Sequence, residues 1–399
     1  MDALMLPLNW QRVRLGDIAE IKRGASPRPI ENPKWFCANS NVGWVRISDI
    51  SKNSRFLYKT AQKLSKKGIE KSRLVKQNSL IMSMCATIGR PIITKIDTCI
   101  HDGFVVFENP KIDLNYLYYF LCYIEKEWLE SGQQGSQVNL NVDLIKNKEV
   151  FYPKDLNEQI AIANILSALD RYLCALNSLI LKKESVKKAL SFELLSQRKR
   201  LKGFNQAWQR VRLGDICEFG NGGAYETLIV ENGDFKLISL NSIDIDGNLK
   251  NTMKRVNFYD NSLKQDDIVM VLSDVAHGDF LGLCAVIPSN DYVLNQRMGR
   301  LRIRNDCINI LFLRLYINAN QKYFKMQGQG SSQLNLSKKA IEDFEILLPP
   351  LNEQIAIANI LSGLDNEIAS LKNKKRQFEN IKKALNHDLM SAKIRVLEK

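Results

Sequence analysis

Histidine is scarce and scattered in this chain: of 399 residues only His101, His277 and His387 carry an imidazole. The eight cysteines stand at 37, 85, 99, 122, 174, 217, 284 and 307, with no Cys-x-x-Cys pair among them. A zinc site wants clustered Cys and His ligands. No metal centre is therefore expected, and the cysteines read as buried thiols of a reducing cytoplasm. There is no G-x-G-x-x-G after a strand and no P-loop. No Ser/His/Asp arrangement or carboxylate pair stands out, so no catalytic residues are assigned. Long apolar runs are missing as well. "INILFLRLYI" (308–317) is interrupted by Arg314 and falls short of the roughly 18 residues a membrane span needs. Met1 to Trp10 has no basic stretch and carries Asp2, so no secretory signal is expected. These absences argue against a membrane protein, a secreted protein and a cofactor enzyme.

What the chain does have, it has twice. "LNEQIAIANILS" stands at 156–167 and again at 351–362. "WQRVRLGDI" at 10–18 returns at 208–216, "GSQVNLN" at 135–141 returns as "SSQLNLS" at 331–337, and "VKKALSFELLSQRKR" at 186–200 returns as "IKKALNHDLMSAKIR" at 381–395. The offset drifts only from 198 to 195, far beyond solenoid periods of roughly 20–50 residues. The chain is a tandem of two domains, each long enough for its own core. A composition of 45% hydrophobic and 25% charged residues fits that reading.

The repeated C-terminal segments predict long helices. Leu166, Leu169, Leu173 and Leu176 step by three and four, as do Leu361, Leu364, Ile368 and Leu371; this is the a/d seam of a coiled coil. Asp155, three residues before Glu158, suggests a capping box, and Pro349 and Pro350 suit the start of the second helix. A helix of about 40 residues with one apolar seam needs a partner of matching length, and the other copy is the obvious candidate. The net charge of +14 concentrates here: segments 182–202 and 371–399 carry +6 each. Such ends can be solvated helix faces with cations at the C-terminal dipole, or surfaces for a polyanion or an acidic partner.

Between the repeated parts lie variable inserts, 22–134 and 220–329, which read as α+β: short strands, an amphipathic helix ("DLNYLYYFLCYIEKEWLES", 113–131, and its counterpart near 308–326), then a Gln/Ser loop. The frame was kept while the inserts diverged. "GNGGAY" (220–225) reads as a turn rather than a phosphate cradle. The inserts hold side chains suited to base edges and phosphates, since Arg, Gln and Asn make bidentate contacts with guanine or adenine. The DNA-binding candidates are Arg23, Ser26, Arg28, Trp44, Arg46, Ser48, Gln134 and Gln137 in the first half. In the second half they are Asn221, Tyr225, Lys236, Asn241, Ser242, Gln296, Arg297, Gln329 and Gln333.

With these motifs in order, the chain resembles the specificity subunit of a type I restriction-modification system. The resemblance covers essentially all 399 residues and rests on the two "RLGDI" openings, "VGWVRISDI" (42–50), "ATIGRPII…HDGFVVF", "LNQRMGRLRI", "LNEQIAIANILSALD" with its twin, and "KKALSFELLSQRKR". The second insert departs from the first, with "LSDVAHGDFLGLCAVI" in place of "MSMCATIGRPII". The resemblance implies an α+β protein with two target recognition domains (1–155 and 202–350) and two long antiparallel helices (156–201 and 351–399) forming a coiled coil in a pseudo-twofold tandem. The leucine seam would serve as spacer and partner-docking surface. Each domain would read half of a split site in double-stranded DNA. Two adenine methyltransferase subunits with S-adenosylmethionine, and restriction/translocase subunits using ATP and Mg, would join it in a prokaryotic cytoplasm. The chain itself would hold no cofactor. The rival reading is a stand-alone two-domain DNA-binding regulator.

Overall fold

A computed structural model describes residues 7–53, 55–131, 140–275 and 278–396. The chain divides into two compact units, one comprising Met1–Asn177 with Lys374–Lys399, the other Ser178–Asn373.

In the first unit the opening strand Trp10–Arg14 pairs antiparallel with Glu149–Pro153, so the repeated frame closes around the variable insert. The insert builds a five-stranded sheet in the order Glu20–Arg23, Phe104–Glu108, Leu80–Ser83, Pro91–Thr94, Phe56–Leu57. Its central strands are buried on both faces, which is why they read as unbroken apolar runs rather than as alternation. Alternate side chains go to different cores, as the two-residue period of a strand requires. Leu80 and Met82 pack with Tyr116, Tyr119 and Phe120 of helix Leu114–Tyr123. Ile81 packs with Val45, Val75 and Ile100 of a second sheet. That second sheet runs Gln62–Lys63, Gly43–Val45, Thr98–Ile100, Arg73–Val75, and its two central strands are parallel.

The second unit repeats the plan. Gln209–Arg212 pairs with Glu345–Leu348. Cys217–Asn221, Met298–Ile303, Ile268–Val271 and Cys284–Val286 form one sheet, and Lys254–Val256, Phe235–Ile238 and Tyr292–Leu294 another, again with a parallel pair. Helix Ile310–Ala319 covers the first of these, burying Phe312 and Leu313.

Two 40-residue helices, Leu156–Leu195 and Leu351–Met390, each run through both units. Within the first unit they are antiparallel: Asp170 meets Lys382 at 2.5 Å, the Tyr172 and Phe378 rings lie 4.6 Å apart, and Lys375 donates to Asn177 at 2.9 Å. Within the second unit they are antiparallel too, through Lys183–Glu367 and Glu184–Lys372 at 2.8 Å each and through Lys187–Asp365. Asp170–Lys382 and Asp365–Lys187 are the same pair at an offset of 195 residues. At that offset the Tyr172–Phe378 ring contact becomes the Glu367–Lys183 ion pair. The seam faces inward: Leu166, Leu176, Leu361 and Ile368 are buried, and Leu169, Leu173, Leu364 and Leu371 half-buried.

The repeated Asn-Glu-Gln at each helix head ties the frame together. Gln159 accepts the Asp113 backbone N–H and donates to the Pro153 carbonyl, both at 2.8 Å. Gln354 accepts the Asn309 N–H at 2.8 Å and donates to the Cys307 and Pro349 carbonyls. Asp113 and Asn309 are the N-caps of the insert helices, so each glutamine fixes where that helix begins. Glu158 does not reach back as a capping box would. Its carboxylate is buried and accepts from Asn9, while Glu353 receives Arg200 and the Trp208 indole.

Candidate nucleic-acid interface

In each unit the C-terminal ends of the two parallel strands open onto an edge where several loops converge. In the first unit Gly24 and Ala25 lie against the turn that follows Thr98–Ile100, donating to the Phe104 and Ile100 carbonyls at 2.8 and 3.1 Å. A Cβ on Gly24 would sit 2.0 Å from the His101 carbonyl oxygen, so only glycine lets these backbones approach. Gly43–Val45 ends at Arg46, whose N–H donates to Asp49 and opens a short helix. The Gly103 carbonyl accepts from Met84, and the Met84 carbonyl from Leu140, which places Leu140 at the same edge.

The second unit repeats these contacts with other residues. Gly222 and Gly223 donate to the Met298 and Leu294 carbonyls, and a Cβ on Gly222 would lie 2.0 Å from the Asn295 carbonyl oxygen. Phe235–Ile238 ends in the Leu240–Ser242 turn. Leu272 donates to the Arg297 carbonyl, and Leu336 to the Leu272 carbonyl.

The edge collects many of the candidate residues and leaves others out. Arg23, Ser26 and Arg28 gather on Asp102: Arg23 Nε donates to its carbonyl at 2.7 Å, Ser26 to its carboxylate at 2.8 Å, and Arg28 pairs with that carboxylate at 3.1 Å. Arg46 and Ser48 are exposed beside them. In the second unit Asn221, Asn241, Gln296 and Arg297 are exposed at the edge, with Gln329 and Gln333 on the Gln/Ser loop, where Gln333 starts a strand paired to Ser273–Val275. Trp44 does not join them. It is buried with Trp35, Leu64 and Cys99, because its strand points that position into a core. Ser242 is buried too, accepting the Ser239 N–H and donating to the Leu237 carbonyl. Lys236 lies near the start of its strand, not at its end, and is held by Asp291 at 2.9 Å over the Tyr292 ring. Tyr225 is half-buried, its hydroxyl given to Asp260. Gln134 and Gln137 lie outside the described residues.

Asp102 was not among the candidates, which followed the contacts of Arg, Gln and Asn with guanine and adenine. The backbone hydrogen bonds, which set His101-Asp102-Gly103 beside Asn295-Gln296-Arg297, point to it. Burial pushes its carboxyl up, but the Ser26 hydrogen bond, its own backbone N–H and the charges of His101 and Arg28 outweigh this and hold it below the ordinary carboxylate range. Burial lowers the His101 imidazole below its usual value despite the Asp102 charge. The imidazole Nδ1 accepts the Gly103 N–H, and the ring packs edge-on to Phe104 at 4.6 Å.

The basic helix ends are partly neutralised where they stand. Lys183, Lys187, Lys372 and Lys382 face acids on the opposite helix. Lys188 and Lys383, twins at an offset of 195, form no ion pair among the described residues. They line two grooves, of about 1210 Å³ in the second unit and about 540 Å³ in the first.

One frame built twice, with different side chains at the same edge, makes this a two-domain recognition protein. Residues 7–184 and 205–380 match the type I restriction modification DNA specificity domain, and the chain belongs to that family. It is thus the specificity component of such a system and not itself an enzyme. It is 26% identical to the type I restriction enzyme MjaVIII specificity subunit of Methanocaldococcus jannaschii, over 99% of this chain and 95% of that one. Its fold is similar to that of the type I restriction-modification S subunit from M. genitalium, with a TM-score of 0.64, 16% identity and 98% of both chains covered. The HsdS subunit from Thermoanaerobacter tengcongensis is similar at a TM-score of 0.50 and 17% identity, covering 98% of this chain and 99% of that one. No helix among the described residues is long and apolar enough to cross a membrane.

Proposed function

We propose that each unit reads one half of a split site in double-stranded DNA at the edge described above, and that the paired helices fix the unread gap. The observation that carries this reading is the repetition of the edge: the same backbone contacts, at Gly24 and Gly222 and at Met84 and Leu272, hold up different side chains. Conserved scaffolding with exchanged tips is what two different words on one reading frame require. The repeated frame then offers equal docking surfaces to two methyltransferase subunits, since equal surfaces recruit equal subunits. S-adenosylmethionine sits on those subunits, where the target adenine is turned out of the stack; ATP and Mg belong to the restriction/translocase subunits. Lys188 and Lys383, with no ion pair among the described residues and on matching grooves, belong to the docking surface in this reading.

Co-expression with the methyltransferase subunits followed by methylation mapping of host DNA tests the proposal. The expected outcome is a bipartite adenine-methylated site and co-purification of both proteins. A chain that bound its DNA tightly alone and recruited no methyltransferase would be a stand-alone regulator instead.

A further inference from the structure

The two edges differ most sharply in one three-residue turn. Hydrogen bonds set its register: Gly24 and Gly222 donate to the residue just after the turn, Phe104 and Met298, while Met84 and Leu272 donate to its last residue, Gly103 and Arg297. The turn is therefore His101-Asp102-Gly103 in the first unit and Asn295-Gln296-Arg297 in the second.

In the second unit the first turn residue is a buried anchor. Asn295 is 1% exposed, accepts the Tyr225 N–H and donates to Glu226 at 2.7 Å. The next two point outward. Arg297 has a φ of +69°, a left-handed backbone that a branched or long side chain rarely adopts and that glycine adopts freely. Its side chain is exposed and forms no hydrogen bond or ion pair among the described residues. The position thus keeps an arginine where the backbone favours glycine, and no group among the described residues hydrogen-bonds or pairs with its guanidinium. Backbone strain kept at a surface position calls for a reason outside the fold. A guanidinium offers two parallel N–H donors, which match the O6 and N7 acceptors of guanine in the major groove.

In the first unit the turn carries no cation of its own. Asp102 instead accepts from Ser26 and pairs with Arg28, whose side chain is 79% exposed. A carboxylate at this edge would repel phosphates if it were bare; here it is occupied in holding an arginine outward.

We propose that this turn sets what each unit reads: Arg297 is the guanine-reading, specificity-determining residue of the second unit, and Asp102 is the positioning residue for Arg28 in the first. The inference rests on the reading of one half-site per unit proposed above.

The test is methylation mapping of the assembled modification complex carrying Arg297→Gly, Arg297→Lys or Asp102→Asn, with thermal melting of each variant. Arg297→Gly removes the fork and relieves the backbone. We expect an unchanged or higher melting temperature and a loss of preference at one guanine-containing pair of one half-site, about ten- to a hundredfold in relative methylation. Arg297→Lys keeps the charge without the fork and gives the same loss, whereas a phosphate contact would survive it. Asp102→Asn relaxes one position in the other half-site only. Three outcomes overturn the inference: a lowered melting temperature with both words intact, equal weakening of both half-sites, or full specificity retained by Arg297→Lys. If the unaltered complex methylates no split site at all, the underlying reading of the chain fails, and that result is distinct from the three.

Discussion

Gln159 and Gln354 show how much a single side chain can organise. Each is nearly fully buried and neutral, and each holds two or three backbone groups that have no other side-chain partner. Truncation leaves those groups, of which the Pro153 and Pro349 carbonyls are bonded in buried surroundings, without their amide partner, at roughly 1–3 kcal/mol. Gln354→Ala and Gln159→Ala should each lower stability by about that amount in urea titration. A change below about 0.5 kcal/mol in both would mean that water replaces the amide. These glutamines were legible as part of a repeated string, but the string does not say what they touch. The N–H groups they accept, of Asp113 and Asn309, lie 46 and 45 residues away, in inserts that vary. Trp44 was misplaced for the opposite reason. It stands two positions before exposed Arg46, but its strand Gly43–Val45 is buried at all three residues, and Arg46 lies just past the strand's end.

Buried polar pairing also links the insert of the first unit to the first long helix. Arg55 is 6% exposed and donates to Tyr119, Ser167 and Asn115, and Tyr119 donates in turn to Asp170, the partner of Lys382. The helix seam itself was readable from leucine spacing alone, and the seam residues are the ones that turn inward. The charge pattern was not, because a run of lysines looks the same whether it faces acids on the opposite helix or solvent. Lys187 faces Asp365. Lys187→Glu and Asp365→Lys should each destabilise, and the double exchange should recover most of the loss. The coupling energy from the double-mutant cycle should be about 0.2–1 kcal/mol, as for partly exposed pairs. A zero coupling would remove this pair from the account of how the helices hold together. Lys188→Glu with Lys383→Glu breaks no such pair. It should leave melting unchanged and reduce co-purification of the methyltransferase subunits.

For the molecule as a whole, the expected behaviour follows from the proposal that each unit reads DNA and that the helices running through both set the gap. DNA binding by the complex should fall steeply with salt, because phosphate contacts release counterions; a shallow slope would shift the weight from phosphate contacts to base edges. Four residues inserted near Leu176 add about 6 Å of helix and overshoot one turn by roughly 40°. With about 3.4 Å per base pair, the unread gap should lengthen by one or two base pairs while both words stay the same. An unchanged gap would mean that the helices do not set the distance.

The most direct test of one word per unit is a graft. Residues 220–329 are replaced by a second copy of residues 22–134, inside the otherwise unaltered second frame, and the variant is co-expressed with the methyltransferase subunits. The quantity measured is the set of methylated sites in host DNA. If each insert alone determines the word its unit reads, both halves of the methylated site become the word of the first unit, and the word of the second unit disappears. A complex that assembles and methylates, yet still recognises two different words, would contradict the account.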